Sequence, residues 1–255
     1  MRTRIALDIG NSRTSIGLFD EDGKLLEHWR VRTEHWTEDE LWLLLRQLLS
    51  LREPGYAKPE AVAFACVVPQ LRHCLRGVSQ RHSGRPPVEV SPATSGIVID
   101  YPDPQELGAD RIANAVGALL AGPAPAIVTD FGTATTFDVI DADGRYLGGV
   151  ICPGVGTGAA ELFRKAEKLS PVDLDFTDSV LARSTADAIR SGVMHSVVGS
   201  TDYILDRLEA ELGSGASLYA TGGWAPGIAP RCSHCLLVVP ELTLQGIDAV
   251  CRRNI

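Results

Sequence analysis

A short apolar run ends in Asp8, a Gly-Asn-Ser turn follows, and two further apolar runs are joined by an Asp-Gly pair. Nearly the same text returns in the second half of the 255-residue chain. Asp8-Ile9-Gly10-Asn11 aligns with Asp130-Phe131-Gly132-Thr133, and Thr14 with Thr136. After one deleted residue, "DEDGKLL" from Asp20 aligns with "DADGRYL" from Asp141. Each copy reads strand, polar turn, strand, Asp-Gly turn, strand. Asp-Gly between apolar runs predicts a tight hairpin with positive φ at both central residues. Two such units half a chain apart predict a duplicated domain. The shared Asp-x-Gly before the first turn argues against two hairpins alike by chance.

Turns of this kind carry chemistry only as a pair. Gly, Asn, Ser and Thr offer backbone N–H groups and hydroxyls to phosphate oxygens. An aspartate among them repels bare phosphate, but suits a cation or its hydration shell beside that phosphate. One Asp-x-Gly would read as an Asx turn. Two facing each other across a duplicated fold predict a nucleotide cleft. No G-x-x-x-x-G-K-[ST] occurs, which excludes a P-loop enzyme, and the "DFG" at Asp130 has no H-R-D upstream.

The rest of the chain alternates as an α/β protein does. "TEDELWLLLRQLLSL" predicts a helix capped by Thr37, "AVAFACVVP" a buried strand, and "ADRIANAVGALLAG" a helix closed by Gly122. "GAAELFRKAEKL" and "TADAIRSGVMHSVVGSTDYILDRLEAEL" read as helices, "SLYATGG" as a strand running into a turn, and "LTLQGIDAVCRR" as a closing helix. The domain border is expected between Leu107 and Pro125, giving domains 1–115 and 116–255. A net charge of −8 argues against a nucleic-acid partner held by phosphate contacts. "MRTRIALDIG" lacks the pattern of a signal peptide, and no apolar run reaches the length of a membrane span. A cytoplasmic protein with no membrane partner is expected. The six cysteines are scattered, and the C-x-x-C at Cys232–Cys235 has no second ligand pair, so reduced thiols are expected.

Three further stretches stand out. "LGADRIANAV" places Asp110 and Arg111 at a helix start, where the aspartate reads either as a cap or as a general base beside a cation. "GGVICPGVGTGAAELF" runs from a strand through glycines into a helix. Its Gly154-x-Gly156-x-x-Ala159, with Asp173 downstream, only loosely matches a dinucleotide fingerprint, and it reads as a strand-to-helix turn facing the cleft. "ATGGWAP" near Thr221 is a second glycine turn, expected near the adenosine of a bound nucleotide.

Taken together, "DIGNSRTSIGLF", "VVP" at Val67, "YPDPQELGADRIANAVGA", "TDFGTATTFDVID", "GGVICPG", "STADAIRSG" at Ser184, "TGG" at Thr221 and "PELTLQGI" resemble the type III pantothenate kinases. The resemblance spans nearly the whole chain. It implies an α/β fold of duplicated actin/hexokinase/Hsp70-like (ribonuclease H-like) domains with a nucleotide cleft between them. It also implies ATP-dependent phosphorylation of pantothenate, the first step of coenzyme A synthesis, by a homodimer using Mg²⁺ and a monovalent cation, K⁺ or NH₄⁺.

By resemblance, Asp8, Ile9, Gly10, Asn11, Ser12, Arg13, Thr14 and Ser15 hold the ATP phosphates with help from Thr133. Asp130 binds the monovalent cation. Tyr101, Gly108, Ala109, Asp110, Arg111 and Thr185 line the pantothenate site, and Asp110 is the general base. The family usually has threonine where this chain has Ser12, which keeps the hydroxyl, and asparagine where it has Ser184. A nucleotide-binding regulator of the same fold would keep the two turns but need not keep Tyr101, Asp110 and Arg111. A polyphosphate or nucleotide hydrolase of the superfamily should lack the Tyr101–Arg111 block.

Overall fold

The computed structural model describes residues 2–51, 58–166, 168–213 and 215–255. The first half runs β1 (Thr3–Ile9), β2 (Arg13–Asp20), β3 (Leu25–Arg32), α1 (Glu38–Ser50), β4 (Ala61–Cys66), α2 (Arg72–Ser83), β5 (Val88–Glu89), α3 (Pro92–Ser95) and α4 (Ala109–Ala121). The second half runs β6 (Ala126–Phe131), β7 (Ala134–Ile140), β8 (Tyr146–Pro153), α5 (Val155–Lys165), α6 (Thr185–Leu212), β9 (Ser217–Thr221), α7 (Ala225–Ile228), β10 (Leu237–Val238) and α8 (Leu242–Arg253).

The strand order β3-β2-β1-β4-β5 in one sheet is matched by β8-β7-β6-β9-β10 in the other. In each, the first three strands form an antiparallel meander and the first strand also pairs in parallel with the strand beyond it. The duplication expected from the two Asp-x-Gly texts is therefore a duplication of sheet topology. Even the bulges correspond, at Leu18/Phe19 and at Val139/Ile140.

Strand pairing corrects the alignment within the repeat. Asp8 faces Ser15 and Ile9 faces Thr14, whereas Asp130 faces Thr136 and Phe131 faces Thr135. Thr14 thus corresponds to Thr135, not Thr136. The deleted residue lies in the turn itself: Gly10 N–H reaches Arg13 O at 3.1 Å, and Gly132 N–H reaches Ala134 O at 3.0 Å. The Asp-Gly hairpins also differ from expectation, since Gly23 (φ 86°) and Gly144 (φ 76°) have positive φ but, among the described residues, no non-glycine residue does. Instead, Asp20 Oδ1 accepts from the N–H groups of Asp22 and Lys24, and Asp141 Oδ1 from those of Asp143 and Arg145. An aspartate ahead of the turn organises it, so only the glycine needs the left-handed region.

Helix α1 follows its sequence signals. Thr37 Oγ1 accepts from Glu40 N–H at 3.3 Å, the Glu40 carboxylate accepts from Thr37 N–H at 2.8 Å, and Leu41, Leu45 and Leu49 face inward. Helix α5 is displaced from the expected "GAAELFRKAEKL": it starts at Val155, taking the glycine turn into its first turn, and ends at Lys165.

The chain divides into two compact units, Met1–Ala121 with Glu241–Ile255, and Gly122–Pro240. The closing helix α8 packs on α4, β1 and β4 of the first unit. The core of the first unit gathers Ile5, Leu7, Ile16 and Phe64 of its sheet with Leu41, Leu45, Leu75 and Val78 of α1 and α2. That of the second gathers Ile127, Phe131 and Phe137 with Met194 and Leu205 of α6.

Candidate functional site

In the first unit, β1 is buried along nearly its whole length, and half-buried Asp8 stands one residue from its end. Buried strands favour apolar residues on both faces, so a carboxylate there marks the point where the strand leaves the core. Asn11, Ser12 and Arg13 form the exposed tip of the β1–β2 turn, while Ile9 and Thr14 are buried beneath it. A residue missed in the sequence braces this turn. Thr33 donates its hydroxyl to Gly10 O at 2.7 Å and its N–H to Ser12 O at 3.1 Å, and lies 2.9 Å from the Thr14 hydroxyl. Its only sequence signal is its place after β3, beyond the Arg13–Arg32 pair.

Helix α4 carries the second part of this unit. Asp110 lies in its first turn, with Oδ1 accepting from Arg111 N–H at 2.9 Å. The carboxylate folds back over Gly108, where a Cβ would stand 2.5 Å from Asp110 Oδ1. Glycine at 108 therefore makes room for the aspartate. Burial pushes the Asp110 carboxyl up from its ordinary value, opposed by the N–H and charge of Arg111. Arg111 is itself buried, Ala109 is buried, and Tyr101 is half-buried in the loop before α4.

The second unit repeats the strand end with a shorter turn. Half-buried Asp130 stands one residue from the end of β6, near exposed Thr133. Two glycine motifs that are distant in sequence converge on this turn. Gly222 has φ +89°, and a Cβ there would stand 2.4 Å from Asp130 Oδ1 and 2.7 Å from Phe131 N and C. Gly154 N–H donates to Thr133 O at 3.2 Å, and a Cβ at 154 would lie 2.3 Å from that same oxygen. Thr157 Oγ1 donates to Thr133 O at 2.7 Å. The "TDFGT", "PGVGTG" and "ATGG" stretches thus converge on the turn beyond Asp130, and Gly154, Thr157 and Gly222 are positions there that spacing alone did not connect.

Thr185 stands elsewhere in this unit. It is the first residue of α6, exposed on a groove of about 490 Å³ walled by Leu162, Ala188, Ile189 and Gly192. Ser184, the departure from the family pattern, caps α6: its Oγ accepts from Asp187 N–H at 3.1 Å. Serine serves that position as well as asparagine. Among the described residues, no group of three or more His, Cys, Asp or Glu side chains could hold a metal ion. No described helix is long and apolar enough to cross a membrane.

Two sheets of one topology, each with an aspartate near the end of its first strand and a glycine turn beyond it, define a duplicated α/β protein of the actin/hexokinase class. The ROK hexokinase of Thermus thermophilus has this fold, with a TM-score of 0.54 over 97% of both chains at 14% identity. Closer relatives narrow the class. A family model described as type III pantothenate kinase matches residues 4–207. A type III pantothenate kinase of Desulfosudis oleivorans is 44% identical over 249 residues, covering 96% of this chain and 97% of its own. One from Anaeromyxobacter sp. strain K is 42% identical over 252 residues, covering 98% and 99%. The chain belongs to the type III pantothenate kinase family.

Proposed function

We propose that this protein transfers the γ-phosphoryl group of ATP to the primary hydroxyl of pantothenate. The observation that carries the reading is Asp110: a carboxylate at a helix start, folded over a glycine and raised in basicity by burial. Such a group accepts a hydroxyl proton better than an ordinary carboxylate does. Phosphoryl transfer needs little else from a protein beyond positioning and charge stabilisation.

In this reading the Asp8–Ser15 turn and Thr133 hold the ATP phosphates through backbone N–H groups and hydroxyls. Asp110 takes the proton of the attacking hydroxyl. Arg111, Tyr101, Gly108, Ala109 and Thr185 orient pantothenate, with Arg111 offering a cation to its carboxylate. Asp8 would hold Mg²⁺ with the nucleotide and Asp130 a monovalent K⁺ or NH₄⁺. The donor chemistry fits, because single carboxylates among hydroxyls and carbonyls suit hard cations shared with phosphate. The absent side chain at Gly222 leaves open the space beside the Asp130 carboxylate. When bound, the metal would neutralise charge developing on the transferred phosphoryl group.

A coupled assay of ADP formation with and without pantothenate tests the reading, with 31P NMR to identify the product. ADP formation that depends on pantothenate and yields its phosphate ester is expected. ATP hydrolysis indifferent to pantothenate overturns it in favour of a hydrolase, and nucleotide binding without turnover in favour of a regulator. We further infer a cytoplasmic homodimer, with a solution mass near twice 27.3 kDa as the check on assembly.

A further inference from the structure

The "PELTLQGI" stretch supplies no group to the reaction described above, yet α8, which it opens, touches both functional parts of the first unit. Toward α4 the contact is backbone on backbone. A Cβ at Gly246 would stand 1.9 Å from Ala113 O, 2.8 Å from Ala113 C and 3.0 Å from Gly117 N. A Cβ at Gly117 would stand 2.4 Å from Leu242 O. No side chain fits between the helices at these points, so glycine is what permits this approach. One buried hydrogen bond fixes the register: Thr243 Oγ1 donates to Asn114 Oδ1 at 2.7 Å. Ala113, Asn114 and Gly117 lie three, four and seven residues beyond Asp110, so they share its stripe of the helix. The clamp therefore begins one turn from the candidate base.

Toward the sheet, α8 is tied to the strand that carries Asp8. Asp248 accepts from Arg4 Nε at 2.7 Å and Nη2 at 3.1 Å, and both side chains are almost wholly buried. Arg4 lies on β1, four residues before Asp8. Leu244 packs beside Gly17 of β2, where a Cβ would meet its Cδ1 at 3.4 Å. One helix thus grips the strand leading to the phosphate turn and the helix presenting the proton acceptor.

We propose that α8 is a positioning element, in which Thr243 and Gly246 set where α4 presents Asp110 relative to the turn at the end of β1. The proposal rests on the reading of Asp110 as general base. Thr243 and Gly246 touch neither reactant in this scheme; they act through α4. A displacement of about 1 Å at a reacting group, even one caused at a distance, can cost ~10²-fold in rate.

The test compares Thr243→Val, Thr243→Ser and Gly246→Ala with Asp110→Asn, and with Val78→Ala on the buried face of α2 as a stability-matched control. For each, kcat, KM for pantothenate and Tm are measured, the kinetics well below every Tm. Thr243→Val keeps the shape and removes the donor. It is expected to lower kcat by ~10-fold or more, while KM moves by less than about twofold. Thr243→Ser should restore most of kcat. Val78→Ala should lower Tm at least as much without lowering kcat. Gly246→Ala should lower kcat further, and if it does not fold, the Thr243 pair decides. Wild-type kcat in Thr243→Val, a loss no larger than in Val78→Ala, or failure of serine to rescue would overturn the proposal. If Asp110→Asn is inactive while Thr243→Val is fully active, the positioning role is wrong and the base stands. If Asp110→Asn turns over normally, both fall.

Discussion

Replacing Asp110 by asparagine is expected to separate catalysis from folding. Asparagine has the same shape, and its Oδ1 can keep the 2.9 Å bond from Arg111 N–H, with the open space over Gly108 unchanged. The helix start is retained and the proposed proton acceptor is lost. Removing a general base costs about 10²–10⁴-fold, equivalent to about 2.7–5.5 kcal/mol of transition-state stabilisation. Stability should move the other way. Burial raises the folded-state carboxyl value above that of the unfolded chain. The folded state then binds more protons, so stability is full below the unfolded value and falls as pH rises through the window between the two. At neutral pH wild-type Asp110 therefore carries a cost that an uncharged amide lacks. The expected result is a variant with activity down by about 10²–10⁴-fold and a Tm at pH 7 equal to or above wild type, the difference vanishing in acid. Wild-type kcat should show an acid limb above the ordinary carboxylate range, absent from the residual activity of the variant. The assays are pantothenate-dependent ADP release across pH and thermal unfolding at matched pH. Near-normal turnover would return Asp110 to a helix-start role. A loss of Tm at pH 7 that vanishes in acid would refute the burial argument.

Asp130→Ala is expected to abolish any dependence on K⁺ or NH₄⁺ together with most activity; wild-type rates that are equal in sodium-only and potassium buffers would remove the cation from Asp130. Gly222→Ala places a methyl 2.4 Å from Asp130 Oδ1 at φ +89°, a backbone region costing roughly 1–2 kcal/mol for a non-glycine residue. It should raise KM for ATP and blunt the cation response, measured by titrating both, and unchanged kinetics would detach that glycine from the site. Asp248→Asn leaves the Arg4 guanidinium buried without its counter-charge, which should cost about 3–5 kcal/mol. Denaturant unfolding of the variant should show a lowered midpoint, and an unchanged midpoint would mean that Arg4 is satisfied by the backbone carbonyls of the β2–β3 turn alone.

The sequence by itself determined what depends on neighbours a few residues apart. The Asp8 and Asp130 strand ends, the helix capped by Thr37, the long helix from Thr185 and the closing helix from Leu242 are each written within one or two turns of chain. Local hydrogen bonds and a period of 2 or 3.6 decide them. The duplication was legible for the same reason, since the two copies repeat the local pattern. Its finer alignment was not. Identical residue types made Thr136 look equivalent to Thr14, and only strand pairing placed the deletion within the turn.

Tertiary structure decided the rest. Nothing local to "LTLQGIDAVCRR" says that the helix returns to the first sheet, where Asp248 meets Arg4 across 244 residues of sequence. Nothing in "ATGG" or "PGVGTG" says that both close around Asp130, because the close approaches at Gly222 and Gly154 are made to backbone that is distant in sequence. Thr33 carries no motif, and it braces the β1–β2 turn only because β3 ends beside it. A short polar residue or a glycine leaves little trace in hydrophobic periodicity. Its role comes from which atoms the folded chain brings within about 3 Å, and that is settled only when the sheets are assembled.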